Sequence, residues 1–135
     1  MSHARPAKRD AARYERVLAR LRKICLALPE TGEVMAWGHP TFRVGDKIFV
    51  GFGPEQECDG SIILSFKADG LEQQELVETE PDLYYVAKYV GKHGWVSMRL
   101  DGKVDWKVVK RHVVDSYRRI AGAKQVARLD ATKRG

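Results

Sequence analysis

The chain has 135 residues, 44% of them hydrophobic and 31% charged, with a formal net charge of +6. That length and balance describe one ordinary globular domain whose core needs no disulfide staples. They exclude a fibrous or low-complexity chain, and no apolar run approaches the ~20 residues that cross a bilayer.

The charge is segregated. Residues 1–28 hold eight basic and two acidic residues, 29–85 three basic and twelve acidic, and 86–135 thirteen basic and four acidic. This partition fits a polyanion-binding face beside an acidic one. It fits equally a domain whose acidic middle lies beside its basic ends. The opening MSHARPAKRDAARYERV lacks an apolar h-region, so the expected compartment is cytoplasmic.

The first predicted element is a helix over Arg9–Leu28. Tyr14, Val17, Leu18, Leu21, Cys25 and Leu28 recur at spacings of three and four, with Arg9, Arg13, Arg16, Arg20 and Lys23 opposite. Pro29 ends it. Cys25 falls on the apolar stripe and reads as core, while Cys58 falls in a loop; the pair forms no C-x-x-C and no disulfide framework.

Strands follow at Thr41–Val44 and Lys47–Phe52, joined by Gly45-Asp46, a glycine-first pair that predicts a type II′ hairpin. That register sets Phe42 against Phe49 and leaves Ile48 and Val50 on the other face. Either a bulge shifts the register or both faces are covered. Ser61–Phe66 is a third strand. Asp69 predicts the N-cap of a short helix to Val77. Tyr84–Val86 and Gly94–Leu100 are further strands, and Asp105 caps a last helix, Trp106 to Ala121, with Trp106, Val109, Val113, Tyr117 and Ile120 inward. Residues 123–135 have little apolar content and predict a frayed or disordered tail, as do the first ~8 residues.

The order α-β-β-β-α-β-β-α predicts a single two-layer α+β domain over residues 1–122, a mainly antiparallel sheet with helices packed on one side. No repeat or second domain is visible.

Motifs for chemistry are sparse. The four histidines His3, His39, His93 and His112 stand in no metal-ligand spacing, so no metal is expected. VGFGP lacks the third glycine of a dinucleotide fingerprint, and Glu55 and Glu57 follow it where a pyrophosphate would need bare amides. No G-x-S-x-G is present, and the expectation is a non-enzyme without cofactor. Basic groups gather near two turns. Arg43 and Lys47 flank the first, and Lys88, Lys92 and His93 crowd the second, with Arg99 and Lys103 extending the patch. Such groups bind phosphates by counterion release without reading sequence. Trp37, Phe42, Trp95 and Trp106 read as packing residues rather than stacking platforms.

Four blocks, LALPE, WGHPTFRVGDKIFV, YVGKHGWVSMRLD and DWKVVKRHVVDSYRRIAG, resemble the MmcQ/YjbR family across Tyr14 to Gly122. The resemblance implies an α+β domain of secretion-chaperone-like shape. It also implies a DNA-binding function through two hairpin wings, carried here by the loops at Gly45-Asp46 and Gly91–Gly94. It suggests that Trp37 and Thr41 define a groove with Trp95. Glu55, Glu57 and Asp59 stand against this reading if they share the first wing's face.

The resulting expectation is a monomeric, low-specificity DNA-binding protein using Arg43, Lys47, Lys88, Lys92 and His93, with Arg99 in support. The basic faces of both terminal helices are a second possible phosphate surface. A protein-interaction module is the alternative, and a small-ligand or enzymatic groove near Trp37 and Trp95 the third reading.

Overall fold

The computed structural model describes residues 8–54, 62–87 and 93–134. In chain order these form α1 (Lys8–Leu26), β1 (Thr31–Ala36), β2 (His39–Val44), β3 (Lys47–Pro54) and β4 (Ile62–Lys67). Then come α2 (Gly70–Thr79), β5 (Tyr84–Tyr85), β6 (Trp95–Arg99), α3 (Trp106–Ile120) and α4 (Ala123–Arg134). The strands build one antiparallel sheet in the order β1-β2-β3-β4-β6-β5. No described helix is long and apolar enough to cross a membrane.

Strand alternation decides what meets the helices. Phe42, Val50, Phe66 and Val96 lie in register across four strands, and Phe52, Leu64, Met98 and Tyr84 form a second such row. All eight are buried. Against them α1 sets Val17, Leu18, Leu21 and Cys25, with Leu28 just beyond it, while α3 sets Val109, Val113 and Tyr117. Burial pushes the Cys25 thiol pKa up, so it stays a neutral packing group.

The helix ends are satisfied locally. Asp69 accepts from the Glu72 amide, and Asp105 accepts from the amides of Lys107 and Val108, so both predicted caps form. Past α1, the Thr31 hydroxyl donates to the carbonyls of Cys25 and Leu28, both at 2.9 Å, which relieves groups a helix C-terminus leaves unpaired.

Between β2 and β3 the alternative that occurs is the bulge. Phe42 faces Val50 and Arg43 faces Ile48, leaving Phe49 as an extra residue. Phe49 and Val50 are therefore both buried, and the Phe49 ring meets Tyr117 edge-on at 5.5 Å. A bulge frees backbone groups from the ladder. Ser116 of α3 takes them up: its hydroxyl donates to the Phe49 carbonyl at 2.6 Å and accepts from the Lys67 amide at 2.9 Å.

Three expectations change. The hairpin at Gly45-Asp46 is type I′, because both residues have positive φ (55° and 67°). A strand, β1, precedes the expected first one; its turn, Trp37-Gly38, also has two positive φ values (51° and 80°) but lacks the usual Asn or Asp signal. Residues 123–134 are helix α4 rather than a frayed tail. Leu129 enters the core, Arg128 pairs with Glu30 at 2.6 Å and Arg118 with Asp130 at 2.7 Å, contacts that local composition does not announce. Residues 1–7 lie outside the described residues.

On α3 the inward face includes two polar residues, Ser116 and His112. His112 stacks on Phe66 at 4.3 Å, and its Nε2 lies 2.7 Å from the Tyr84 hydroxyl. Burial pushes the Tyr84 hydroxyl up to about 12. Burial, assisted by Arg111, pushes the His112 imidazole down to about 4 from 6.5.

Two outcomes follow for stability. Ser116→Ala orphans two buried backbone groups and should cost about 2–4 kcal/mol, read from urea unfolding at neutral pH. His112 contributes fully above pH 6.5. As pH falls from there toward 4, the unfolded chain binds a proton that the fold excludes, and about 3 kcal/mol is lost. His112→Gln should flatten the urea midpoint over that window; an unchanged slope would show that other groups govern it.

Candidate nucleic-acid interface

The helices cover one side of the sheet and leave the other to the alternate strand positions. Opposite the core rows, Thr41, Gly51, Ser65, Ser97 and Tyr85 lie in register from β2 to β5. Thr41 and Ser97 of this row are buried although they face away from the helices. Toward one end of the strands the same face carries Arg43, Ile48, Lys67 and Trp95, and toward the other His39, Gly53, Ile63 and Arg99. Gly53 is needed there, since a Cβ would lie 2.5 Å from His39 Nδ1.

The charged strand positions described on this face are all of one sign. Arg43, Lys67 and Arg99 come from three strands, and none forms an ion pair with another described residue. None of the strand positions on this face is Asp or Glu. Glu33 of β1 points to the helix side, where Arg22 holds it through two hydrogen bonds at 2.5 and 2.9 Å and keeps its carboxyl below the usual range. Arg43 is oriented by a 3.2 Å bond from Nε to the Thr41 hydroxyl, which donates to the Val34 carbonyl. Arg99 lies over the Tyr85 ring at 4.5 Å and donates to the Asp82 carbonyl.

On the helix side the arginines are largely engaged. Arg22, Arg118, Arg119 and Arg128 each meet a carboxylate, and Arg13 donates to the carbonyls of Leu100 and Gly102. The terminal helices therefore offer fewer open cations than their sequence suggests.

The expected site residues divide accordingly. Arg43 and Arg99 share the helix-free face with Thr41 and Trp95. Lys47 is exposed beside the Gly45-Asp46 turn, and His93 is exposed just before β6. Strand direction brings that turn and the start of β6 to one end of the sheet. Lys88 and Lys92 lie outside the described residues, as do Glu55, Glu57 and Asp59. The anchors of the acidic segment, Pro54 and Ile62, stand at the other end of the sheet, roughly 23 Å along β3 from the first turn.

Trp37 does not join Trp95. It sits at the β1–β2 turn, at the opposite end of the sheet, and is 86% exposed rather than packed. Lys67 escaped the sequence reading, which ends its strand at Phe66; the alternation Ile63, Ser65, Lys67 is the signal that finds it.

At the His93 end, a pocket of about 560 Å³ opens between Lys67, Asp69, Gln73, His93, Gly94 and Arg119. Arg119 is paired there with Asp69 at 3.5 Å and Glu72 at 3.3 Å, so the pocket holds both signs of charge.

A family model for YjbR matches residues 26–119, which spans both hairpins, the helix-free face and most of α3. The chain belongs to the YjbR family. The crystal structure of Deinococcus radiodurans protein DR2400, with a DUF419 domain, superimposes with a TM-score of 0.63 at 24% identity. The match covers 74% of this chain and 75% of that one, and it shows the shared fold. A search of curated proteins found no match.

One backbone contact of the YjbR fold fixes the end of the sheet where β6 begins. Gly94 has φ +86°, its carbonyl accepts from the Ala68 amide at 2.9 Å, and an added Cβ would lie 2.2 Å from the Ala68 oxygen. Gly94→Ala should lower the melting temperature by at least about 5 °C, because neither backbone segment can yield without breaking that bond. A thermal scan showing no loss would mean that the segment relaxes freely.

Proposed function

We propose that this protein binds nucleic acid with low sequence specificity through the helix-free face of its sheet. The observation that supports this reading is the grouping of Arg43, Lys67 and Arg99 on one face without a strand carboxylate beside them. Phosphates are bound there by counterion release, which needs fixed cations rather than base-edge contacts. Lys47, at the edge of that face, extends the positive surface toward the Gly45-Asp46 turn, and His93 adds a polar ring at the same end of the sheet. Trp95 offers an aromatic surface beside the cations.

The reading is tested by anisotropy of a labelled random-sequence DNA duplex titrated with protein at several salt concentrations. Log affinity should fall linearly with log salt. Arg43→Glu and Lys67→Glu should each weaken binding about tenfold or more and reduce the salt slope by about one. A flat titration at low salt, with protein shown to be folded, would sink the proposal for duplex DNA.

A further inference from the structure

Two hairpins of the sheet use the same two-residue type I′ turn, and they fill it differently. The β2–β3 turn is Gly45-Asp46, residues that tolerate positive φ. The β1–β2 turn places Trp37 at φ +51°, where a Cβ is disfavoured and Asn, Asp or Gly is the usual choice. Burial does not offset that cost, because the Trp37 side chain is 86% exposed. Val34 and Met35, also exposed, lead into it along β1. A strained backbone that holds a large ring in solvent points to a contact outside the chain.

This end of the sheet also holds Pro54 and Ile62, the anchors of the acidic segment, so it is the charge of the strand positions that favours a nucleic acid as that contact. His39 follows two residues later on β2, and the row it belongs to ends at Arg99. Further along the same strand, about 13 Å from His39, stands Arg43. A ring at the tip of a face that carries cations and no strand carboxylate matches a polymer that alternates base and phosphate. In a duplex the faces of the bases are covered by their neighbours, so only an unpaired base can stack on such a ring.

From this we infer that Trp37 is a base-stacking residue and that the preferred ligand is a single strand, or an unpaired end, rather than an intact duplex. The inference rests on the nucleic-acid reading and names its ligand more closely.

The test compares a labelled oligothymidine strand with a labelled duplex of equal length, using wild type, Trp37→Asn and Trp37→Phe. Asparagine suits the turn, so Trp37→Asn should raise the melting temperature by about 2–5 °C. The same variant should bind the single strand about tenfold or more weakly while changing duplex binding little. Trp37→Phe keeps a ring and should retain most of the affinity. Wild-type tryptophan emission should be quenched by the strand, and Trp37→Asn should lose the larger part of that quenching, leaving what Trp95 contributes.

Salt-dependent binding of both probes with no effect of Trp37→Asn would overturn the stacking role and leave the proposed function standing. Binding of neither probe would overturn both. A dimer in sedimentation that Trp37→Asn dissolves, with oligonucleotide affinity unchanged, would assign the ring to a protein contact and overturn the inference.

Discussion

The hydroxyl of Ser116 joins the two layers of this molecule where the sheet is irregular. By donating to the Phe49 carbonyl and accepting from the Lys67 amide, it lets β3 carry an extra residue without leaving buried backbone groups unpaired. The bulge then turns Phe49 toward Tyr117 while Val50 keeps its place opposite Phe42. Without that shift, the two halves of β3 would present their apolar residues to opposite faces. The lone hydroxyl thus makes a continuous helix-facing core compatible with a helix-free face that carries Thr41, Ser65, Ser97 and three cations.

This division of faces also organises the charge. Helix-side arginines tie α1 to β1, α3 to α2 and α4, and α4 to the segment after α1. Their partners include Glu30, Glu33, Asp69 and Glu72 of the acidic middle of the chain, so part of the segregation visible along the sequence is resolved inside the fold. What remains unpaired on the strands is positive and lies on the other side. Exposed ion pairs of this kind contribute little each; their consequence is to leave Arg43, Lys67 and Arg99 without competition from nearby strand carboxylates.

Much of the architecture was legible because it is written in short-range patterns. The heptad-like stripe of α1, the caps Asp69 and Asp105, and the Gly45-Asp46 turn are decided within a few residues, and all appear close to where they are expected. Strand β1 was less legible, since Gly32 and Glu33 interrupt its alternation and its turn is built from Trp37-Gly38. The tail was illegible because α4 is held by Leu129 and by Arg128 reaching Glu30, far away in sequence. Of the candidate site, Arg43 and Arg99 were found as basic residues near turns, although their common face follows only from the strand register. The apolar neighbours of Trp37 point to core or rim packing, and its exposure contradicts that.

The sequence by itself determined the α+β class, the place of α1, α2 and α3, the Gly45-Asp46 hairpin and most of the core, because propensity, capping and periodicity act locally. Only the tertiary structure decided the bulge, the gathering of Arg43, Lys67 and Arg99 on one face, the engagement of the helix arginines and the exposure of Trp37. Each of those depends on which distant residues come to lie side by side, and a change of one residue in register moves every following side chain to the other face.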